Sequence, residues 1–264
     1  MRGGAQSHLM RCRYKDSQGQ ERRDGYFIVK FQNNPQHVRI LANELLTARL
    51  ADHLGLPVPW AEQVVLKREL VEGTPELRME LPQGSAPCAH GLQFGSQFPG
   101  DPRHAPVFDF VPDSTLDRLA NLNDFAGMLV FDQWTCNTNG RQAVFLRGTK
   151  SGYRALMIDQ GFCFNDGEWS FPDAPLRGLY LRRRVYLGVT GWQSFEPWLG
   201  RVQELDAAVL DRICREIPPE WCDSDPETLE RLMVKLYERR KRVAELLTAV
   251  RRCSAEPFPN WRGE

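Results

Sequence analysis

One helix and the strand before it constrain this chain most. Val38, Leu41, Ala42, Leu45, Leu46 and Arg49 recur at helical spacing until Gly55 and Pro57 stop the run, with Asn34 as the expected N-cap and Pro35 at the first helical position. Ahead of it, residues 26–31 alternate as a strand, Phe27, Val29 and Phe31 on one face, Tyr26, Ile28 and Lys30 on the other. The unit therefore carries a lysine on the strand and Glu44 on the helix. At about 100° per residue, Glu44 lies roughly 60° from Leu41 and 40° from Ala48, at the edge of the buried stripe. A carboxylate there gains from a cationic partner, and docking of the helix brings Lys30 within reach. A lysine snorkelling to solvent would give the same pattern.

Residues 61–66 and 76–81 read as further strands that complete a small sheet. Residues 85–106, rich in Gly, Pro, Ser and His, are the expected boundary, leading into the short apolar run 107–111 before Pro112. Beyond it the pattern predicts helices over 122–134, 206–216 and 226–252, interrupted by strands at 143–146 and 154–158. No fixed-period repeat is present, and the tail 256–264 is expected to be loose. The predicted class is α+β and bilobal: a small β-rich N-lobe with one main helix (1–106), a hinge (107–112) and a larger helical C-lobe (113–255). A length of 264 residues with 42% hydrophobic content supports a proper core and excludes disorder as the main state.

Charge narrows the partners. With 34 basic and 34 acidic residues there is no net excess to attract nucleic acid or an anionic membrane. No run approaches the roughly 18 apolar residues of a membrane helix, and Met1-Arg2-Gly3-Gly4 lacks an apolar signal core, so a cytoplasmic protein is expected. The seven cysteines (Cys12, Cys88, Cys136, Cys163, Cys214, Cys222, Cys253) are scattered, without C-x-x-C pairs or zinc-ligand spacing. They read as reduced, structural thiols.

A strand-rich lobe with one helix, a connector, then a helical lobe containing a β-hairpin is similar to the order of elements in protein kinases. Phosphoryl transfer from ATP needs a backbone cradle for phosphates, a held lysine, a metal-binding carboxylate and a group orienting the acceptor hydroxyl. The cradle candidate is Gly3-Gly4-Ala5-Gln6-Ser7-His8, whose glycines let amides approach phosphate oxygens; taken alone, the pair reads better as a flexible terminus. Asp159 follows the apolar strand Ala155-Leu156-Met157-Ile158 and precedes Gln160-Gly161, a good place to hold Mg²⁺, although turn-forming aspartates are frequent. Asn137-Thr138-Asn139-Gly140-Arg141-Gln142 links the helix near Trp134 to the hairpin, and Asn-Gly is itself a favoured tight turn. Order and spacing, rather than any one motif, carry the reading.

The stretches GGAQSH, DGYFIVKFQNNPQHVRILANELLTARLADHLGLPVP, VFDQWTCNTNGRQAVF and MIDQGFCFN resemble the HipA-like kinases, relatives of the bacterial HipA toxin kinase. GEWSFPDAPLRG and GVTGWQSFEPWL fit a compact branch without the toxin's extra N-terminal domain, and the resemblance spans residues 3–199. It implies that Gly4-Ala5-Gln6, flanked by Gly3, Ser7 and His8, belongs to a phosphate loop. Lys30 would contact the α/β-phosphates and pair with Glu44. Phe108, Asp109 and Phe110 would form the hinge that receives adenine, and Asp159-Gln160-Gly161 would stand where other kinases have Asp-Phe-Gly, with Asp159 on Mg²⁺.

Departures from the family pattern matter equally. Asn139 falls at the catalytic aspartate, and an amide can orient a hydroxyl but cannot take its proton. General-base help is worth about 10²–10⁴ in rate, so its loss leaves a slow or silent kinase. Val144 stands where a metal-binding Asn is expected, leaving Gln142 as the nearby polar substitute; Arg141 would help neutralise phosphate or lie on the surface. The serine used for self-inhibition in the toxin kinases falls at Met1, so no such switch is expected, and a first strand before the loop is expected to be absent or to precede Met1. The resemblance thus implies an ATP- and Mg²⁺-binding kinase acting on a protein Ser/Thr hydroxyl, with a nucleotide, a protein acceptor and an antitoxin-like protein as partners. The alternatives are a pseudokinase or nucleotide-dependent binding module, and a partner-binding protein whose aromatic stretch 169–198 forms the interface. Arg182-Arg183-Arg184 would contact an acidic acceptor or form a solvated face.

Overall fold

The computed structural model describes residues 4–15, 20–104, 106–148 and 152–262. Strands β1 (His8–Lys15) and β2 (Glu21–Lys30) form an antiparallel pair in which His8 faces Val29. Helix α1 (Arg39–His53) follows, then β3 (Ala61–Leu66), the short α2 (Arg68–Glu72), β4 (Arg78–Leu81), β5 (Gly84–Pro87) and β6 (Gly91–Gln97). The main sheet has the order β1-β2-β6-β3 and is antiparallel throughout, while β4 and β5 make a separate hairpin.

The alternation of β2 is as expected: Phe27, Val29 and Phe31 are buried and share a core with Leu66, Leu77 and Met79. The helix begins later than its expected N-cap. Asn34 Oδ1 accepts from the backbone N–H groups of Gln36 (3.0 Å) and His37 (3.2 Å), so the capping chemistry builds a turn one step ahead of α1. Residues 85–106 are not the strand-poor boundary that their composition predicted, because β6 lies there in the middle of the sheet. Its central glycine has a reason: a Cβ on Gly95 would stand 2.4 Å from Val64 Cγ2 on β3. Pairing with β2 and β3 on both sides, with only Leu92 and Phe94 as large apolar side chains, defines this strand.

The second half contains β7 (Val107–Phe108), α3 (Asp113–Leu116), α4 (Asp124–Thr135), β8 (Gln142–Arg147) and β9 (Tyr153–Ile158), with β7-β8-β9 forming an antiparallel sheet. Helices α5 (Trp198–Gln203), α6 (Ala207–Cys214), α7 (Pro226–Arg239) and α8 (Val243–Arg252) complete it. The long helix expected over 226–252 is divided at Arg240–Arg242, where Arg239 and Arg242 both reach the Asp173 carboxylate. The largest core joins α1 (Leu41, Leu45, Leu46) to α4 (Met128, Leu129, Phe131), so the helix that carries Glu44 is packed with the helical half. Further ties cross the same boundary: Met157 N–H to Pro57 O at 2.7 Å, and Trp221 Nε1 to Leu92 O at 3.2 Å.

Three further expectations are corrected. The described part of the tail is docked, with Phe258 buried against Tyr186 and Phe195, and Trp261 against Trp192. Trp169 and Trp198, which bound the aromatic stretch offered as an interface only in the last of the alternatives, are buried. Arg182, Arg183 and Arg184 are not free for an acidic acceptor, since they engage Asp113, the Ala255 carbonyl and Asp117 respectively, but Arg183 and Arg184 stay exposed, as a solvated basic face would. All seven cysteines are free thiols. Among the described residues no helix is long and apolar enough to cross a membrane.

Candidate functional site

Lys30 ends β2 on the face opposite Phe27 and Val29, and is only 7% exposed. Its ammonium donates to Glu44 Oε1 on α1 and, at 2.5 Å, to Asp159 Oδ1 just past β9. Glu44 is buried, whereas the Asp159 side chain keeps 31% of its exposure. Three segments far apart in the chain therefore converge on one cation. Gln142, at the start of β8, donates from Nε2 to the other Asp159 oxygen at 2.8 Å.

The electrostatics follow from the two-to-one ratio of carboxylates to ammonium. Burial opposes the Lys30 charge, but Glu44 and Asp159 overcome it and hold the ammonium above the ordinary lysine range. Burial lifts Glu44 above the ordinary range and the Asp159 charge pushes the same way, against the pull of Lys30. For Asp159 burial also raises, yet the charge and hydrogen bond of Lys30 prevail and hold it below the ordinary aspartate range. A more exposed carboxylate kept ionised beside a buried pair can receive a cation.

The loop after Asp159 is shaped to fit. Asp159 has φ 59°, and Gly161 N–H donates to Glu44 Oε1 at 2.9 Å. A Cβ at Gly161 would meet Ile40 Cγ2 at 2.7 Å and Glu44 Oε1 at 3.2 Å, so only glycine lets the loop lie this close to α1. Gly3 lies outside the described residues. Gly4 is exposed and Ala5 buried, and the Gln6 side chain clamps β4, donating to Glu80 O at 2.7 Å and accepting from Glu80 N–H at 2.8 Å. Ser7 is exposed. His8 packs edge-on against Phe31 at 5.3 Å, and the β1–β2 register hangs this loop at the Lys30 end of the sheet.

Asn139 is exposed in its turn: Oδ1 accepts from Gly140 N–H at 2.8 Å and its carbonyl accepts from Gly178 N–H at 2.9 Å. Phe108 is paired in β7 and packs on Tyr153 at 5.8 Å, while Asp109 and Phe110 are exposed, with Arg182 stacked 4.5 Å over the Phe110 ring. Among the described residues no hydrogen bond joins Asn139 or residues 108–110 to the Lys30 group. Lys30, Glu44, Asp159 and Gln142 are thus brought together.

Arg141 corrects both of its readings. It is 3% exposed and grips Asp132 of α4 with two guanidinium nitrogens, while Nη1 donates to Ile158 O at 3.0 Å. Asn137 completes the cluster, donating to Asp132 Oδ1 at 3.0 Å. This pair fixes the turn that carries Asn139 and the residue just before Asp159. Sequence reasoning missed Asp132, although a lone acid in the apolar run Met128–Thr135 was a visible signal. It also missed Asn43, a fully buried amide beside Glu44.

The order of elements is that of a bilobal α+β, kinase-like fold. Residues 11–155, more than half of the chain, match the family model described as HipA-like kinase, and the chain belongs to that family. The match ends just before Asp159. No curated protein matches the chain. Among solved structures, a Golgi casein kinase with Mn/ADP bound is 12% identical, covering 96% of this chain and 73% of its own, with a TM-score of 0.46. Hydra Fam20 with sugar is 10% identical over 93% and 84%, TM-score 0.45. HipA of Shewanella oneidensis MR-1, in complex with HipB and operator DNA, is 11% identical over 96% and 67%, TM-score 0.46.

Proposed function

We propose that the chain binds ATP and Mg²⁺ between its two halves and is built for phosphoryl transfer to a protein Ser/Thr hydroxyl. The observation that carries this reading is the convergence of Lys30, Glu44 and Asp159. Lys30 offers its charge to phosphate oxygens, and Glu44 holds it in place when phosphate is absent. The Gly4–Ser7 loop lies over the same end of the sheet and supplies backbone donors. Residues 108–110 receive the adenine ring through their backbone.

Asp159 and Gln142 would hold the metal. Among the described residues no group of three or more His, Cys, Asp or Glu gathers to hold an ion. That donor set fits Mg²⁺, which commonly takes one or two carboxylates and completes its shell with phosphate and water oxygens. Bound there, Mg²⁺ would neutralise charge on the phosphates. Asn139 would orient the acceptor hydroxyl without accepting its proton, so transfer would be slow.

A second reading, a nucleotide-binding pseudokinase, is favoured by the Asn139 side-chain oxygen being engaged by Gly140 N–H. One set of variants separates the two. Nucleotide with Mg²⁺ should raise the melting temperature of the wild type but not of Lys30→Ala or Asp159→Asn; retention in both would overturn the site. Asn139→Asp should then raise ATP turnover or autophosphorylation by about 10²-fold or more. Nucleotide binding with no turnover, even in that variant, would favour the pseudokinase.

A further inference from the structure

Segment 159–169 is unusual in its backbone and in what holds it. Asp159, Phe164, Asn165, Asp166 and Trp169 all have φ between 52° and 61°, a region that side-chain-bearing residues keep only where surrounding structure imposes it. The imposing group is Asn43, which has no solvent exposure. Its Nδ2 lies 2.8 Å from Gly161 O, 2.9 Å from Asp166 O and 3.1 Å from Cys163 O, and its Oδ1 accepts from the Trp169 indole at 2.8 Å. Its neighbours on α1 grip the same segment: Glu44 accepts from Gly161 N–H, and Arg39 donates to Gly167 O at 2.8 Å while lying 4.6 Å over the Trp169 ring.

We propose that Asn43 is a positioning residue: by tying three carbonyls and one indole of segment 159–169 to α1, it makes Glu44 and Asp159 approach Lys30 as a single unit. A helix that carries Glu44 away from Lys30 must then carry the Asp159 loop with it. The site is assembled in advance of any ligand. Its significance for metal and nucleotide rests on the function proposed above, but the mechanical link does not.

The test measures hydrogen exchange on the full chain without nucleotide, for wild type, Asn43→Ala and Trp169→Phe, and titrates ADP with and without Mg²⁺. In Asn43→Ala, exchange of amides 159–169 should rise about tenfold or more, the scale set by losing a buried amide's hydrogen bonds, while β2, β3 and β6 stay as in the wild type. Trp169→Phe, which keeps an aromatic side chain but loses the indole N–H and part of the ring system, should show a smaller rise over the same segment. The gain in ADP affinity given by Mg²⁺ should fall about tenfold in Asn43→Ala while metal-free affinity is unchanged. Unchanged exchange in both variants, a uniform rise across the chain, or an intact Mg²⁺ gain over a loosened loop would overturn the proposal. If Asn43→Ala does not fold, Trp169→Phe decides by the same criteria. Wild type that binds no ADP would remove the nucleotide reading and leave the exchange result to judge the link alone.

Discussion

Two buried ion networks meet at the end of β9, and they are built on opposite terms. Arg141 and Asp132 are one cation and one anion, with side chains 1% and 0% exposed, and their hydrogen bonds are completed by Asn137 and the Ile158 carbonyl. Lys30 serves two carboxylates, and one of them, Asp159, is open to solvent. The first network is balanced and shut; the second carries surplus negative charge at a point that a ligand can reach. Charge balance and access, rather than burial, separate the cluster that holds the fold from the one that offers chemistry.

The largest expected effect tests the sealed pair. Arg141→Met leaves Asp132 buried without its partner and should cost about 3–5 kcal/mol in denaturant unfolding, with much of the loss restored by adding Asp132→Leu. A double variant as unstable as the single one would contradict a balanced, structural pair. Lys30→Met should cost less, about 1–3 kcal/mol, because Asp159 can turn to water and Glu44 can take a proton, while nucleotide stabilisation disappears. Equal costs for Arg141→Met and Lys30→Met would erase the distinction between the networks.

Acid titration gives a smaller, signed effect. Asp159, held below the ordinary aspartate value, contributes stability that is present above about pH 3.9 and lost as pH falls through its lowered value. Glu44, raised by burial, contributes with the opposite sign, so its share is lost as pH rises above about 4.3. Asp159→Asn should therefore flatten the acid limb of the stability curve, and Glu44→Gln should steepen it; the reverse pattern would show that the two carboxyls had been assigned the wrong environments. The smallest shift belongs to Asn139→Asp, an exposed change that keeps the acceptor for Gly140 N–H and should move stability by no more than about 0.5 kcal/mol.

The sequence disclosed the parts of this arrangement that local periodicity can encode. Helical spacing put Glu44 at the edge of a buried face, strand alternation set Lys30 opposite Phe27 and Val29, and the glycine after Asp159 marked a turn at a strand end. What it concealed is long-range or carried by backbone. Lys30 and Asp159 are 129 residues apart, and no local pattern records their contact. Strand β6 is made by pairing with β2 and β3 and has little apolar content of its own. Asn43 and Asp132 were legible only as polar residues inside apolar helices, a signal without a named partner. The tail was misread because Phe258 and Trp261 find their aromatic partners some seventy residues earlier in the chain.

Whether Lys30, Glu44 and Asp159 form a nucleotide site is decided by diffraction from crystals soaked with Mg²⁺ and a non-hydrolysable ATP analogue. Triphosphate density should lie between the Gly4–Ser7 loop and Lys30, with a metal peak against Asp159. An empty cleft at saturating analogue, or density bound elsewhere with Lys30 still joined to both carboxylates, would contradict it.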